Sequence, residues 1–195
     1  MNTQQKFYEK SLLERAYLKM IFDKLPTTYD YKTWMTPADG FDVYDGVILR
    51  FKKGTSELVD RMIIEVKIRD QFYPELIFEK IKYDDLKKAR RSMDLKTKKE
   101  CYIDVKTRII YINVTPEGSF FFDIDKLSKD FEWVNELHWV STTDKSKGRI
   151  NKILTKIDHI KAKRFNIKTG DYINQKATQI MMVNHQRTKQ LGIIF

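Results

Sequence analysis

Hydrophobic positions along the chain change period several times, and each change marks a boundary between elements. From about Lys6 to Lys24 there is no Gly or Pro, and Leu13, Ala16, Tyr17 and Met20 recur at helical spacing. Pro26 closes that helix. After Pro37, Ala38, Asp39 and Gly40 an extended run from Phe41 to Phe51 is expected, with Lys52, Lys53 and Gly54 as a hairpin turn. The return strand runs from Asp60 to Arg69, where Met62, Ile64, Val66 and Ile68 line one face with period two. Pro74 suits the first residue of a helix, and Glu75 to about Met93 carries the stripe Phe78, Ile81, Leu86, Ala89 and Met93.

Further on, Tyr102 to Val114 alternates, Pro116, Glu117 and Gly118 turn, and Ser119 to Ile124 returns. Trp133, Leu137, Trp139 and Val140 form an apolar cluster, followed by a cap from Ser141, Thr142, Thr143 and Asp144. A basic helix is expected from Arg149 to about Phe165, with Ile150, Ile153, Leu154, Ile157 and Ile160 on one stripe. Beyond Asn166 the chain is polar and basic, and Ile180 to Val183 is its one strong apolar patch. Helix, strands, helix, strands and a C-terminal basic helical extension describe one α/β (α+β) domain. Its core spans residues 1–140, with an extension over 141–195 packed on the same domain.

Composition narrows the function. The 195 residues carry a formal charge of +10, which points to a polyanionic partner, nucleic acid first. One cysteine, Cys101, excludes an intrachain disulfide or a multi-cysteine metal site, and it reads as packing. His138, His159 and His185 are too scattered for a zinc pattern, and no phosphate-cradling Gly-rich loop is present. The polar N-terminus and the lack of a stretch near ~20 apolar residues lead us to expect an intracellular, cytoplasmic protein with no membrane partner.

The chemistry sits on two strands. Asp45, in Tyr44-Asp45-Gly46, shares a face with Val43, Val47 and Leu49, where a carboxylate needs a proton, a partner or a cation. Glu65 and Lys67 project to one face of Ile64-Glu65-Val66-Lys67 while Ile64 and Val66 point to the other. A bland reading sends Arg61, Glu65, Lys67 and Arg69 into water. The alternative joins both acids across the hairpin within metal-bridging reach, as oxygen ligands suited to Mg²⁺. The Val66 carbonyl supplies a further oxygen, and Lys67 orients the attacking water or stabilises the phosphate. A base role for a neutral Lys67 amine is also conceivable. Lys82 falls inside the helix stripe beside Ala89, facing either a phosphate or carboxylate of this site or the helix edge.

The order of helix, Asp-bearing strand, hairpin, Glu-x-Lys strand and amphipathic helix, over roughly residues 5 to 125, resembles the PD-(D/E)XK, restriction-endonuclease-like nuclease superfamily. Glu65 follows Asp45 by twenty positions, and Tyr44 replaces the proline that names the motif. The resemblance implies a central mixed sheet flanked by helices. It implies Asp45, Glu65 and Val66 as metal ligands and Lys67 as the catalytic lysine; some members add an acid from the preceding helix, for which Glu14 is the candidate and Glu9 its competitor, against the plain reading of Glu14 as a surface residue. A Mg²⁺-dependent DNA endonuclease follows, resolvase-like or phage- or mobile-element-encoded by analogy. DNA is favoured over RNA, and the apolar patch at Ile180 to Val183 offers a homodimer contact. Lys82, Lys87, Arg90, Arg91, Lys152 and Lys156 are the candidate nucleic-acid contacts on the two basic segments. The alternatives are a non-catalytic nucleic-acid-binding module and a viral or mobile-element interaction protein on the same fold.

Overall fold

The computed structural model describes residues 3–40, 42–101, 105–140 and 147–165. Helix α1 (Thr3–Asp23) leads into β1 (Tyr29–Met35), β2 (Gly46–Lys52) and β3 (Leu58–Ile68). Strand β4 (Glu75–Glu79) runs directly into helix α2 (Lys80–Cys101). Strands β5 (Thr107–Thr115) and β6 (Gly118–Asp123), the short helix α3 (Ile124–Leu127), β7 (Val134–Trp139), β8 (Arg149–Asp158) and β9 (Lys163–Phe165) follow within the described residues.

Six strands form a mixed sheet in the order β1-β2-β3-β5-β6-β9. Only β3 and β5 are parallel, and α2 lies in the crossover between them. The remaining strands make a second sheet in the order β4-β8-β7. Each face of the large sheet buries its own core. On one, Tyr17 and Leu18 of α1 meet Ile48, Ile64, Val66, Ile68, Ile110, Ile112 and Val114. On the other, Val47, Ile63, Ile109, Tyr111, Phe120 and Phe122 meet Leu86 of α2 and Leu76, Phe78 and Ile157 of the second sheet. The expectation of a central mixed sheet flanked by helices is met, with three strands added to the second flank. Each fully buried aliphatic side chain here contributes about 1.5–3 kcal/mol by its removal from water.

The hairpin of β2 and β3 turns at Gly54, whose φ of +70° is a conformation that favours glycine. The Met62-Ile64-Val66-Ile68 face packs under α1, as its period requires. Its other face is also covered: Arg61 and Glu65 are buried, so the bland reading of a solvated face does not hold for them.

Three expectations are corrected. The helix from Glu75 to Met93 gives way to a strand over Glu75–Glu79, and α2 starts only at Lys80. Leu76 and Phe78 alternate inward with period two, a pattern that so short an apolar run shares with a helix stripe. Ile81, expected in that stripe, is 69% exposed. Second, Arg149 to Asp158 is a strand and not a basic helix, and Lys163–Phe165 is another. Isoleucine and threonine at alternating positions suit a pleated surface, and β8 finds partners on both sides, in β4 and β7. Among the described residues beyond 140, β8 joins the second sheet and β9 the large one. Third, the extended run expected from Phe41 becomes regular strand only at Gly46. Strand β1 was not anticipated: as an edge strand with a mixed polar pattern, it presents no apolar face to read. The predicted cap at Ser141 to Asp144 and the apolar patch at Ile180 to Val183 lie outside the described residues, as does the side chain of Cys101.

Candidate active site

The hairpin places Asp45 just ahead of β2, where its backbone N–H donates to the Ile64 carbonyl at 2.7 Å. The register continues as Gly46 opposite Ile64, so the Asp45 side chain comes to rest beside the middle of β3. There its Oδ2 accepts the Val66 N–H at 2.5 Å. The other oxygen, Oδ1, is paired with the Arg15 guanidinium from α1. Arg15 also donates to the Thr36 carbonyl at 2.7 Å and to Thr36 Oγ1 at 2.9 Å. Asp45 and Arg15 are both buried, so neither charge is compensated by water.

Gly46 makes this arrangement possible. A Cβ at this position would stand 2.5 Å from Leu18 Cδ2 and 2.9 Å from the Trp34 carbonyl oxygen. Without a side chain there, α1 lies close enough for Glu14 and Arg15 to reach the head of the hairpin.

Glu65 is 1% exposed. Its Oε1 takes Lys82 Nζ from α2 at 2.7 Å and Lys67 Nζ from its own strand at 3.0 Å. Lys82 also donates to the Val43 carbonyl at 2.5 Å, which ties α2 to the segment before Asp45. Lys67 reaches both carboxylate oxygens of Glu14 at 3.4 Å. The lysine thus bridges the acid of the helix and the acid of the strand, and Lys82 faces the site.

These contacts shape the titration of the group. Burial, then the neighbouring Asp45 and Glu65, pushes the Glu14 carboxyl up to about 6, with Lys67 opposing. Glu65 is raised for the same leading reason, burial. Burial works against the charge on Lys67, but Glu65, Glu14 and Asp45 outweigh it and hold its pKa above the ordinary value. In this arrangement the three carboxylates favour the charged form of Lys67. Across the strand boundary, Tyr111 stands opposite Glu65, and burial raises its phenol to about 12.

Glu14, Asp45 and Glu65 thus converge with Arg15, Lys67 and Lys82, three formal negative charges against three positive. The oxygen-only donor set, in which burial and then neighbouring acids raise the pKa of Glu14 and Glu65, has the chemistry a hard divalent cation relieves. In the side-chain arrangement described, the cationic side chains supply that relief instead. Both Asp45 oxygens are engaged, and no three His, Cys, Asp or Glu among the described residues are grouped to hold a metal ion. Direct coordination by Asp45 requires the Arg15 contact to give way.

Of the other basic residues expected to contact nucleic acid, four are partnered within the fold. Arg90 pairs with Asp125, Lys152 with Glu79 and Lys156 with Glu136, while Lys87 lies over the Tyr83 ring. Arg91 is exposed on α2. Sequence reasoning missed Arg15 and Thr36. The available signal for Arg15 was a basic residue next to Glu14 and directly before Ala16 and Tyr17 of the apolar stripe.

No protein-family model matches the chain, and no curated protein matches its sequence. Among solved structures it is similar to Hjc, a Holliday junction resolvase from the archaeal hyperthermophile Archaeoglobus fulgidus. The TM-score is 0.40 at 13% identity, covering 84% of this chain and 93% of that one. No helix among the described residues is long and apolar enough to cross a membrane.

Proposed function

We propose that this protein is a metal-dependent nuclease hydrolysing phosphodiester bonds, with DNA as its substrate and endonucleolytic cleavage as its mode. The observation that carries this reading is the convergence of Glu14, Asp45, Glu65 and Lys67, from one helix and two strands, on one buried patch. Such clustering of buried acids, Glu14 and Glu65 with raised pKa values, around a lysine is costly to stability and is characteristic of chemistry. The PD-(D/E)XK resemblance of the Asp45, Glu65, Lys67 spacing adds to it.

Glu14, Asp45, Glu65 and the Val66 carbonyl would hold a magnesium or manganese ion, which when bound supplies charge neutralisation and water activation. The protein's own groups do the rest. Lys67, held as an ammonium, donates to a non-bridging phosphate oxygen and stabilises the charge that develops there. Lys82 fixes Glu65 from the side of α2, so the carboxylate stays oriented as substrate enters. Arg15, anchored on Thr36, holds Asp45 in place until an ion takes over its Oδ1. The mean charge of the chain favours the polyanion before any specific contact is made.

The test is cleavage of plasmid, branched and single-stranded DNA and of RNA, with Mg²⁺, Mn²⁺ or EDTA. Cutting of DNA that needs the metal and is lost in Glu65→Gln is the expected result. Binding without cutting under every metal would overturn the enzyme reading in favour of a nucleic-acid-binding module.

A further inference from the structure

Cationic groups continue past Lys67, on the side of the carboxylate cluster away from Asp45. We propose that Lys10, Arg69 and the Tyr111 hydroxyl form a second phosphate subsite, which takes the backbone phosphate next to the one that Lys67 contacts. The proposal rests on the nuclease reading for its choice of anion.

Its position follows from α1 and β3 together. Glu14 meets Lys67 at 3.4 Å, and Lys10 lies one turn before Glu14 on the same face of α1. Arg69 follows Lys67 by two residues, so its side chain leaves on the same face about 6.8 Å further along. The Arg69 N–H still joins the ladder, donating to the Val114 carbonyl at 2.8 Å. The charged neighbours of Lys10 are Glu14, Arg69, Lys67 and Asp70. Helix and strand therefore run against each other, and Lys10 with Arg69 stands one step beyond Glu14 with Lys67. Arg69 Nε donates to Asn113 Oδ1 at 3.4 Å, which leans the guanidinium towards β5.

Charge favours an anion at that step. Within the cluster three acids are matched by Arg15, Lys67 and Lys82. Lys10 and Arg69 add two positive charges beside it, and the exposed Asp70 adds one negative. Among the described residues no carboxylate lies within ion-pair distance of the half-buried Lys10. Burial lowers its pKa, and Arg69 and Lys67 add to the effect against Glu14 and Asp70. A phosphate supplies the missing counter-charge.

Tyr111 is an independent sign of a ligand. The residue is 4% exposed, and its ring packs edge-on against Phe78 at 5.1 Å between centroids. It stands opposite Glu65, and the charged groups nearest its phenol are Arg69 first, then Lys67, Glu65 and Glu14. Among the described residues the hydroxyl has no hydrogen-bond partner. A buried donor without an acceptor is destabilising unless an incoming group supplies one. With a pKa of about 12 the phenol keeps its proton, so it donates to a phosphate oxygen between the two cations.

The experiment measures binding of a single-stranded oligonucleotide to the full chain in EDTA over a range of salt concentrations. Lys10→Gln is expected to reduce the slope of log affinity against log salt by about 0.7, the share of one phosphate. Tyr111→Phe keeps the ring and its packing. It should leave the slope unchanged, weaken binding about two- to tenfold, and raise the melting temperature, because the unpartnered hydroxyl is gone. An unchanged slope in Lys10→Gln overturns the proposal, as does a Tyr111→Phe protein that binds like the parent or melts lower. Cleavage with metal then reads the position, on oligonucleotides carrying one neutral methylphosphonate at successive places. Next to the cut bond it should slow the parent about tenfold and Lys10→Gln far less. Equal slowing of both overturns the proposal. Cutting by a parent whose slope Lys10→Gln does not change removes the subsite and leaves the nuclease. A reduced slope in Lys10→Gln without any cutting by the parent keeps the subsite and removes the nuclease.

Discussion

Arg15 and Asp45 form a buried ion pair that fastens helix α1 to the head of the hairpin, thirty residues away along the chain. The pair is not isolated. Thr36 accepts from the guanidinium through both its carbonyl and its hydroxyl, and the Val66 N–H donates to the far side of the carboxylate. Such a pair is held by geometry and full hydrogen bonding, because desolvation offsets most of its Coulombic gain.

Removing one partner should therefore be worse than removing both charges. Arg15→Met leaves Asp45 buried and uncompensated and is expected to lower stability by about 3–5 kcal/mol. Combining it with Asp45→Asn should restore a large part of that loss. Urea unfolding of the two single variants and the double variant measures the coupling. Simple additivity would mean that the pair does not matter to the fold.

Lys82 separates orientation from chemistry. Lys82→Met keeps the length of the side chain but removes the contacts to Glu65 and to the Val43 carbonyl. Cleavage should fall about 10–100-fold, the usual cost of losing a group that orients a ligand, with oligonucleotide affinity little changed. An equal loss in binding would make Lys82 a phosphate contact instead.

Glu14 predicts a pH dependence of stability. Its folded pKa of about 6 lies above the ordinary 4.5, so the folded state binds the proton more tightly than the unfolded chain. The contribution is fully present below pH 4.5 and is lost as pH rises through 6. In metal-free buffer, Glu14→Gln should gain on the parent protein by about 2 kcal/mol between pH 4.5 and 7. Parallel stability curves for the two proteins would show that Glu14 has no raised pKa.

Gly46→Ala tests the close approach of α1. The added methyl meets the Trp34 carbonyl oxygen, which belongs to a strand and cannot swing aside, as well as the Leu18 side chain. A loss of about 1–3 kcal/mol is expected, together with weakened cleavage as Glu14 and Arg15 are pushed away. Thermal unfolding and the plasmid assay read the two effects, and an unchanged melting temperature would mean that α1 is free to shift.

Much of the site was legible because strand alternation is local. Glu65 and Lys67 had to share a face once Ile64 and Val66 were assigned to the core, and the hairpin at Gly54 had to return β3 beside β2. Arg15 was not legible, since its partners Asp45 and Thr36 come from distant segments and a basic helix residue looks solvated. Strand β8 was misread for a related reason. Ile150, Ile153, Leu154 and Ile157 fit a helical stripe as well as a strand, and only the neighbours β4 and β7 decide between them. Length and periodicity carry no information about such partners.

The late position of β8 has a consequence for synthesis on the ribosome. His159 packs against Pro74 across 85 residues of sequence, and β4 finds its ladder only in β8. While residues beyond 140 are still inside the exit tunnel, Leu76 and Phe78 have no strand to pair with and the edge of β4 stays open. The second sheet closes only once β8 has emerged, and until then the open edge of β4 invites pairing with other strands.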